Sequence, residues 1–224
     1  MNESLFLIHI LLVTVLTLGS FRLGKLALSA WICMQGVLAN LFAIKQIEMF
    51  GLHVTATDVF AVGSVLGLNL LQEHFGAETA GKTMKNCFYL MIFFAIFSQI
   101  HLFYEPSIYD TSQEAFKQLL TPVPRLLFAS LLTFFIVQKV DIISFGWVKK
   151  RMKRTPFALR NFLTLLSSQL LDTILFTFLG LYGIIEPILD ILIASFLIKL
   201  CAIFALSPLV HLSKKWIKHK EASL

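Results

Sequence analysis

Seven apolar stretches, each near the ~20 residues that a ~30 Å hydrocarbon core requires, dominate this 224-residue sequence. They run roughly over 4–21, 26–44, 54–74, 86–104, 119–138, 162–184 and 188–210. Turn chemistry separates them at Gly51-Leu52-His53, Gly76-Ala77, Glu105-Pro106, Pro122-Val123-Pro124 and Glu186-Pro187. These lengths fit helices, because a backbone in lipid must satisfy its own N–H and C=O groups and a barrel strand needs only about 9–11 residues. Hydrophobic residues make up 57% of the chain and charged residues 14%, against about a quarter charged in soluble domains. So few charges cannot cover a water-facing surface. A soluble enzyme or a nucleic-acid-binding domain is excluded despite the net charge of +6, and 22 Phe exclude disorder. The expected fold class is all-α, a polytopic membrane helical bundle of about seven transmembrane helices in one domain over 1–224.

Loop charges set the expected orientation. Arg22 and Lys25 follow the first stretch, and Lys82 and Lys85 lie between the third and fourth. The 139–161 loop carries Lys139, Lys149, Lys150, Arg151, Lys153, Arg154 and Arg160, and the tail carries Lys214, Lys215, Lys218 and Lys220. These alternate loops hold every Lys and Arg except Lys45, Lys117, Arg125 and Lys199. The positive-inside rule therefore puts the N-terminus outside and the C-terminus in the cytoplasm, in an inner, cytoplasmic membrane. The basic loop and tail are expected to meet anionic lipid headgroups rather than nucleic acid. Met1-Asn2-Glu3 lacks positive charge and no small-x-small site follows, so 4–21 is expected to remain as an uncleaved first helix.

An ionisable group in hydrocarbon costs on the order of 2.5–3.5 kcal/mol and needs a partner, a cavity or a task. Asp172 lies about halfway along 162–184, and Lys199 about halfway along 188–210. Opposite signs at similar depth on sequential helices suggest an ion pair, read either as a lock between two helices or as part of a midplane substrate site. The run Ser167-Ser168-Gln169-Leu170-Leu171-Asp172-Thr173 places donors, acceptors and a carboxylate on one side of a helix, more than interhelical glue requires. Asn69, Gln72 and Glu73 share a face near the inner end of 54–74, where Glu73 could also reach the cytoplasmic interface. Asp58, beside Thr55 and Thr57 near the outer end, is expected to take a capping or interface role. Gly63 and Gly67 form a G-x-x-x-G that allows close packing within one chain or in a homodimer. Arg125 opens a helix after Pro122-Val123-Pro124, and Gln35, Asn40 and Gln138 are amides suited to interhelical bonds.

Zinc-protease, nucleophile-elbow and phosphate-loop motifs are missing from the sequence, so neither catalysis nor ATP hydrolysis is expected of this chain. The six His are scattered and the three Cys are far apart, so neither a metal site nor a cofactor is expected, and isolated buried thiols are.

Four blocks resemble the queuosine precursor transporters of the vitamin uptake transporter family. The first is Ala39-Asn40-Leu41-Phe42-Ala43-Ile44-Lys45 and the second is Asn69-Leu70-Leu71-Gln72-Glu73-His74-Phe75-Gly76. The third runs from Pro124-Arg125 through Ser130 to Gln138 and Asp141. The fourth and most specific is Arg160-Asn161-x5-Ser167-Ser168-Gln169-x2-Asp172-Thr173-x2-Phe176, with Lys199 and Pro208 beyond it. The likeness covers roughly 26–212, leaving 213–224 as a basic tail. It implies a six-helix core, to which 4–21 is an extra N-terminal helix. It also implies import of a 7-deazapurine base, queuine or a pre-queuosine base, for tRNA modification. The implied substrate-binding residues are Asn40, Asn69, Gln72, Glu73, Arg125, Ser168, Gln169, Asp172, Phe176 and Lys199. Two other readings stay open at this point. One is a membrane subunit that binds another vitamin-like molecule and needs partner chains, as in energy-coupling-factor transporters. The other is a lipid-modifying membrane enzyme.

Overall fold

The computed structural model describes residues 1–151 and 157–201. The tail 213–224, Pro208 and the end of the seventh expected stretch lie outside the described residues. So do Lys153 and Arg154 and the side chains of Asp141, Arg160 and Asn161. Helices α1 (Asn2–Leu23), α2 (Lys25–Leu41), α3 (Asp58–Phe75), α4 (Ala77–Phe103), α5 (Gln113–Leu120), α6 (Val123–Arg151) and α7 (Phe157–Phe176) follow one another. A last helix, α8, is described over 188–201. The protein is thus an all-α membrane bundle, and among the described residues each expected stretch falls largely on one helix.

By length and apolar composition, Asn2–Leu23, Ala77–Phe103 and Gln113–Val140 suffice to cross a membrane among the described residues, with Lys25–Leu41 and Leu166–Leu181 as shorter apolar helices. Hydrophobic side chains point outward as well as inward. Leu5, Ile8, Leu12 and Val15 of α1 are exposed, while Phe6, Val13, Thr17 and Phe21 are buried. Outward apolar faces are what a lipid solvent selects, since it leaves small and polar groups to hold helices together.

Small residues set the closest approaches. A Cβ on Gly63 would collide with Gln35 and Val13, and one on Gly67 would stand 2.7 Å from Ile32 Cγ1. The G-x-x-x-G of α3 therefore serves packing against α1 and α2 inside the chain. The first helix is no appendage. Trp31 Nε1 on α2 donates to Thr17 Oγ1 on α1 at 2.8 Å, and Thr17 Oγ1 donates to the Val13 carbonyl at 2.7 Å. Phe21 shares a core with Leu28, Ile32, Leu66 and Leu70. A second core, around Cys33, Cys87, Met91, Val123 and Leu127, joins α2 and α4 to α6.

Two elements depart from the sequence reading. Residues expected to turn from one helix into the next instead form an antiparallel hairpin, β1 (Gln46–Met49) and β2 (Leu52–Thr55), with Met49 opposite Leu52. Its two turn residues, Phe50 and Gly51, have φ of 52° and 76°. Positive φ at both positions matches strand twist in a two-residue turn. Bonds between the hairpin and distant residues tie it down. Asn2 Nδ2 donates to the Glu48 carbonyl at 2.8 Å, and the Phe50 N–H donates to Glu3 Oε1 at 3.2 Å. The His53 N–H donates to Asp190 Oδ2 at 3.1 Å, and Gln46 Nε2 donates to the Glu186 carbonyl at 2.7 Å. The hairpin thus bridges the starts of α1 and α8 across one end of the bundle. The second departure is α5, a short helix in the polar connection before α6. Asp110 precedes it, accepting from the Ser112 N–H at 2.8 Å and from Ser112 Oγ at 2.6 Å. These bonds hold the Asp110 carboxyl below its usual range.

Candidate functional site in the helix interior

Helix α8 organises the polar interior. Lys199 Nζ donates to Asp172 Oδ2 on α7 at 2.7 Å and to Thr173 Oγ1 at 3.2 Å. The side chains are 14% and 34% exposed for Lys199 and Asp172, so the pair is largely withdrawn from solvent while Asp172 keeps an open edge. The expected pairing of opposite charges on sequential helices is therefore present. Thr173 Oγ1 also donates to the Gln169 carbonyl at 2.8 Å, which fixes its lone pairs toward Lys199. Ser168 is buried one turn before Asp172, and Gln169 is half-buried. Ser168, Gln169, Asp172 and Thr173 of the fourth sequence block are thus wholly or partly buried near the ion pair, whereas Ser167, expected on the same side, is exposed because it lies on another face of the helix.

The helix around this pair is irregular at its far end. After Phe176, residues Thr177–Leu181 widen into a π turn, closed by the Tyr182 N–H on the Thr177 carbonyl at 3.0 Å. Gly180 lies here against α6, where a Cβ would meet Ala129 Cβ at 3.3 Å and Leu126 Cδ2 at 3.5 Å. A helix end leaves carbonyls without partners. Arg125 supplies them, Nε to the Leu179 carbonyl at 2.9 Å and Nη2 to the Tyr182 carbonyl at 2.6 Å. Its fork thus pins α7 to α6. Phe176 is half-buried against Ala43, Leu126, Leu181 and Ile191.

The remaining expected residues are placed apart from the pair or on other faces. Asn40, at the end of α2, is buried and donates through Nδ2 to the Gly36 carbonyl at 2.9 Å. Asn69, Gln72 and Glu73 share one exposed side of α3, opposite the packed side formed by Val62, Leu66 and Leu70.

Three buried polar positions, Asp58, Ser195 and Gln35, were not among the expected binding residues. Asp58 is 7% exposed and accepts a bond from Ser195 Oγ on α8 at 2.6 Å. Thr57, not Asp58, occupies the cap position of α3, and it makes no side-chain cap bond. Asp58 therefore bonds to a neighbouring helix and does not cap its own. Ser195 lies four residues before Lys199, the spacing that stacks side chains on one helix face. That spacing was a readable signal, but serine in an apolar helix carries little weight alone. Gln35 is fully buried against Gly63. Cys33 and Cys87 are free and buried, as expected, whereas Cys201 is exposed.

Chemically, among the described residues the interior offers the carboxylates of Asp58 and Asp172, the ammonium of Lys199 and the hydroxyls of Ser168, Thr173 and Ser195 along α3, α7 and α8. Such a set can accept N–H donors, donate to a carbonyl and balance a charge.

Residues 55–213 match the family described as "Putative vitamin uptake transporter". A Bacillus subtilis (strain 168) protein named "Probable queuosine precursor transporter" is 31% identical over 221 residues, covering 97% of this chain and 95% of that one. A match of that extent takes in most of the residues of α1. No solved structure matches the chain.

Proposed function

The chain belongs to the vitamin uptake transporter family, and from that premise we propose that it imports a queuosine precursor, a 7-deazapurine base, across the cytoplasmic membrane. It is a multi-pass membrane transporter and not an enzyme. The observation that carries the substrate reading is the Lys199–Asp172 pair with Thr173 beside it, largely withdrawn from solvent between α7 and α8. Polar groups at such depth are costly and mark a substrate path.

A 7-deazapurine base with a guanine-like edge presents adjacent N–H donors and a carbonyl acceptor. The open edge of Asp172 can take two donors, and Lys199 can donate to the carbonyl. Gln169 and Ser168 supply the next polar contacts, and Phe176 offers a ring face worth roughly 1–3 kcal/mol per stacked base. Asn40 is a further amide at the end of α2. Arg125 contributes by holding the π turn beside Phe176. Asn69, Gln72 and Glu73 stand on the exposed side of α3 at its expected cytoplasmic end, where they could meet the base only outside the packed interior. The N-terminus lies outside and the C-terminus inside, as the alternating basic loops require.

The test is the queuosine content of tRNA in a host that neither makes nor imports the precursor. The chain is expressed, queuine or a pre-queuosine base is supplied at low concentration, and modified tRNA is read by its retardation on a boronate gel. Retardation with the wild type and none with Asp172→Asn is the expected result. No retardation with any of these bases, given membrane-inserted protein, overturns the substrate assignment.

A further inference from the structure

The charges of the interior do not balance. Asp172 and Asp58 are two acids, and Lys199 is the one base that the described structure places with them. Lys199 ion-pairs with Asp172, while Asp58 receives only the neutral hydroxyl of Ser195. Asp58 nonetheless lies within electrostatic reach of both Lys199 and Asp172. Ser195 and Lys199 stand four residues apart on one helix face, about 6 Å along the axis, so the two acids flank a single stretch of α8. With all three groups ionised, the cluster carries one uncompensated negative charge in a low-dielectric interior. Isolated buried charge of that kind is among the most costly arrangements a fold can hold.

We infer that Asp58 and Ser195 form a monocation site, coupled through Lys199 to Asp172, that holds one positive charge beyond Lys199. In the empty transporter that charge is a proton on the Asp58 carboxylate. In the loaded transporter it is an alkylammonium group of the ligand, the class of substituent that makes a base cationic. Loading then breaks one O–H bond on Asp58 and releases the proton to water, and no other bond changes. The charged and titratable groups around Asp58 are Lys199 on α8 and Asp172 on α7. On α1, His9 packs edge-on against Phe60, two residues beyond Asp58.

The ligand half of this inference rests on the proposed substrate class, whereas the proton half does not. The experiment separates them. Purified transporter in lipid nanodiscs is titrated calorimetrically with two 7-deazaguanines, one bearing an alkylamine and one bearing an uncharged nitrile. For wild type, affinity for the amine should rise up to about tenfold per pH unit where the proton competes, with proton release and no such trend for the nitrile. Asp58→Asn should flatten that dependence and bring the two ligands together, and Asp58→Glu should restore it. An unchanged pH dependence and unchanged amine preference in Asp58→Asn overturn the site. If Asp58→Asn does not fold, Ser195→Ala keeps the acid and removes its hydroxyl, and an unmoved pH dependence there overturns it equally. Should wild type bind neither base, the substrate assignment fails and the proton half is read without ligand. The thermal stabilities of wild type and Asp58→Asn must then differ in their pH dependence, and superimposed profiles overturn the proton site.

Discussion

Ser195 and Lys199 sit one turn apart on α8, yet they reach carboxylates on different helices, Asp58 on α3 and Asp172 on α7. One helix face thereby joins the two acidic groups of the interior. The arrangement makes α8 the shared wall of the site. It also explains why both residues lie among Ile191, Ala194 and Ile198, which pack α8 into the apolar cores on either side.

Removing Lys199 leaves Asp172 without its ion-pair partner, and removing Asp172 leaves Lys199 with no acid in direct contact. A fully buried pair costs roughly 3–5 kcal/mol when halved, and the open edge of Asp172 lowers this to about 1–3 kcal/mol. Lys199→Met and Asp172→Asn should each lower the melting temperature in detergent. The double variant should recover most of it, because both charges are gone, but should not import the base. A double variant as unstable as the sum of the singles contradicts this pairing.

Gly63 and Gly81 give opposite expectations for the same change. Gly63→Ala places a methyl against Gln35 and Val13 and should destabilise by about 1–3 kcal/mol through overpacking. At Gly81 an added methyl would meet nothing within 4 Å, so Gly81→Ala should gain up to about 1 kcal/mol from reduced chain entropy. Melting temperatures of the two variants decide it. The sign must differ between them.

Arg125 holds two carbonyls through different nitrogens, a geometry a lysine cannot copy. Arg125→Lys should cost about 1–2 kcal/mol. It should also raise amide hydrogen exchange in 177–182 without raising it in α3. Uniform exchange across both segments would contradict a local role for the fork.

The hairpin hangs on Asp190 through the His53 N–H. Asp190→Ala removes the acceptor and should cost about 0.5–1.5 kcal/mol. Faster exchange is expected at His53 and its strand neighbours, with the α1–α3 core unchanged. Unaltered exchange over 46–55 would show that Asn2, Glu3 and Gln46 suffice.

Much of the bundle was readable because transfer from water to lipid is a property of each segment by itself. The apolar stretches predicted the long helices, and the midhelix positions of Asp172 and Lys199 predicted their pairing. The hairpin was hidden for a physical reason. Its four-residue strands are too short to show a period, and its latch partners, Asn2, Glu3, Glu186 and Asp190, come from distant parts of the chain. Helix α5 was hidden because a short amphipathic turn in a polar connection looks like loop composition. Asp58 was visible as an acid in an apolar stretch, but two neighbouring threonines pointed equally to a helix cap.

By itself, then, the sequence determined a membrane-spanning helical bundle, its alternating basic loops and the two opposite charges in adjacent helices. Hydropathy and spacing act locally, so one dimension is enough to carry them. The tertiary structure alone decided that Ser195 meets Asp58 and that the G-x-x-x-G of α3 is spent on α1 and α2. It alone decided that Arg125 closes the π turn. Each of these depends on how far one helix is rotated about its axis relative to another. That rotation is set by the packing of every face at once, and no segment holds it alone.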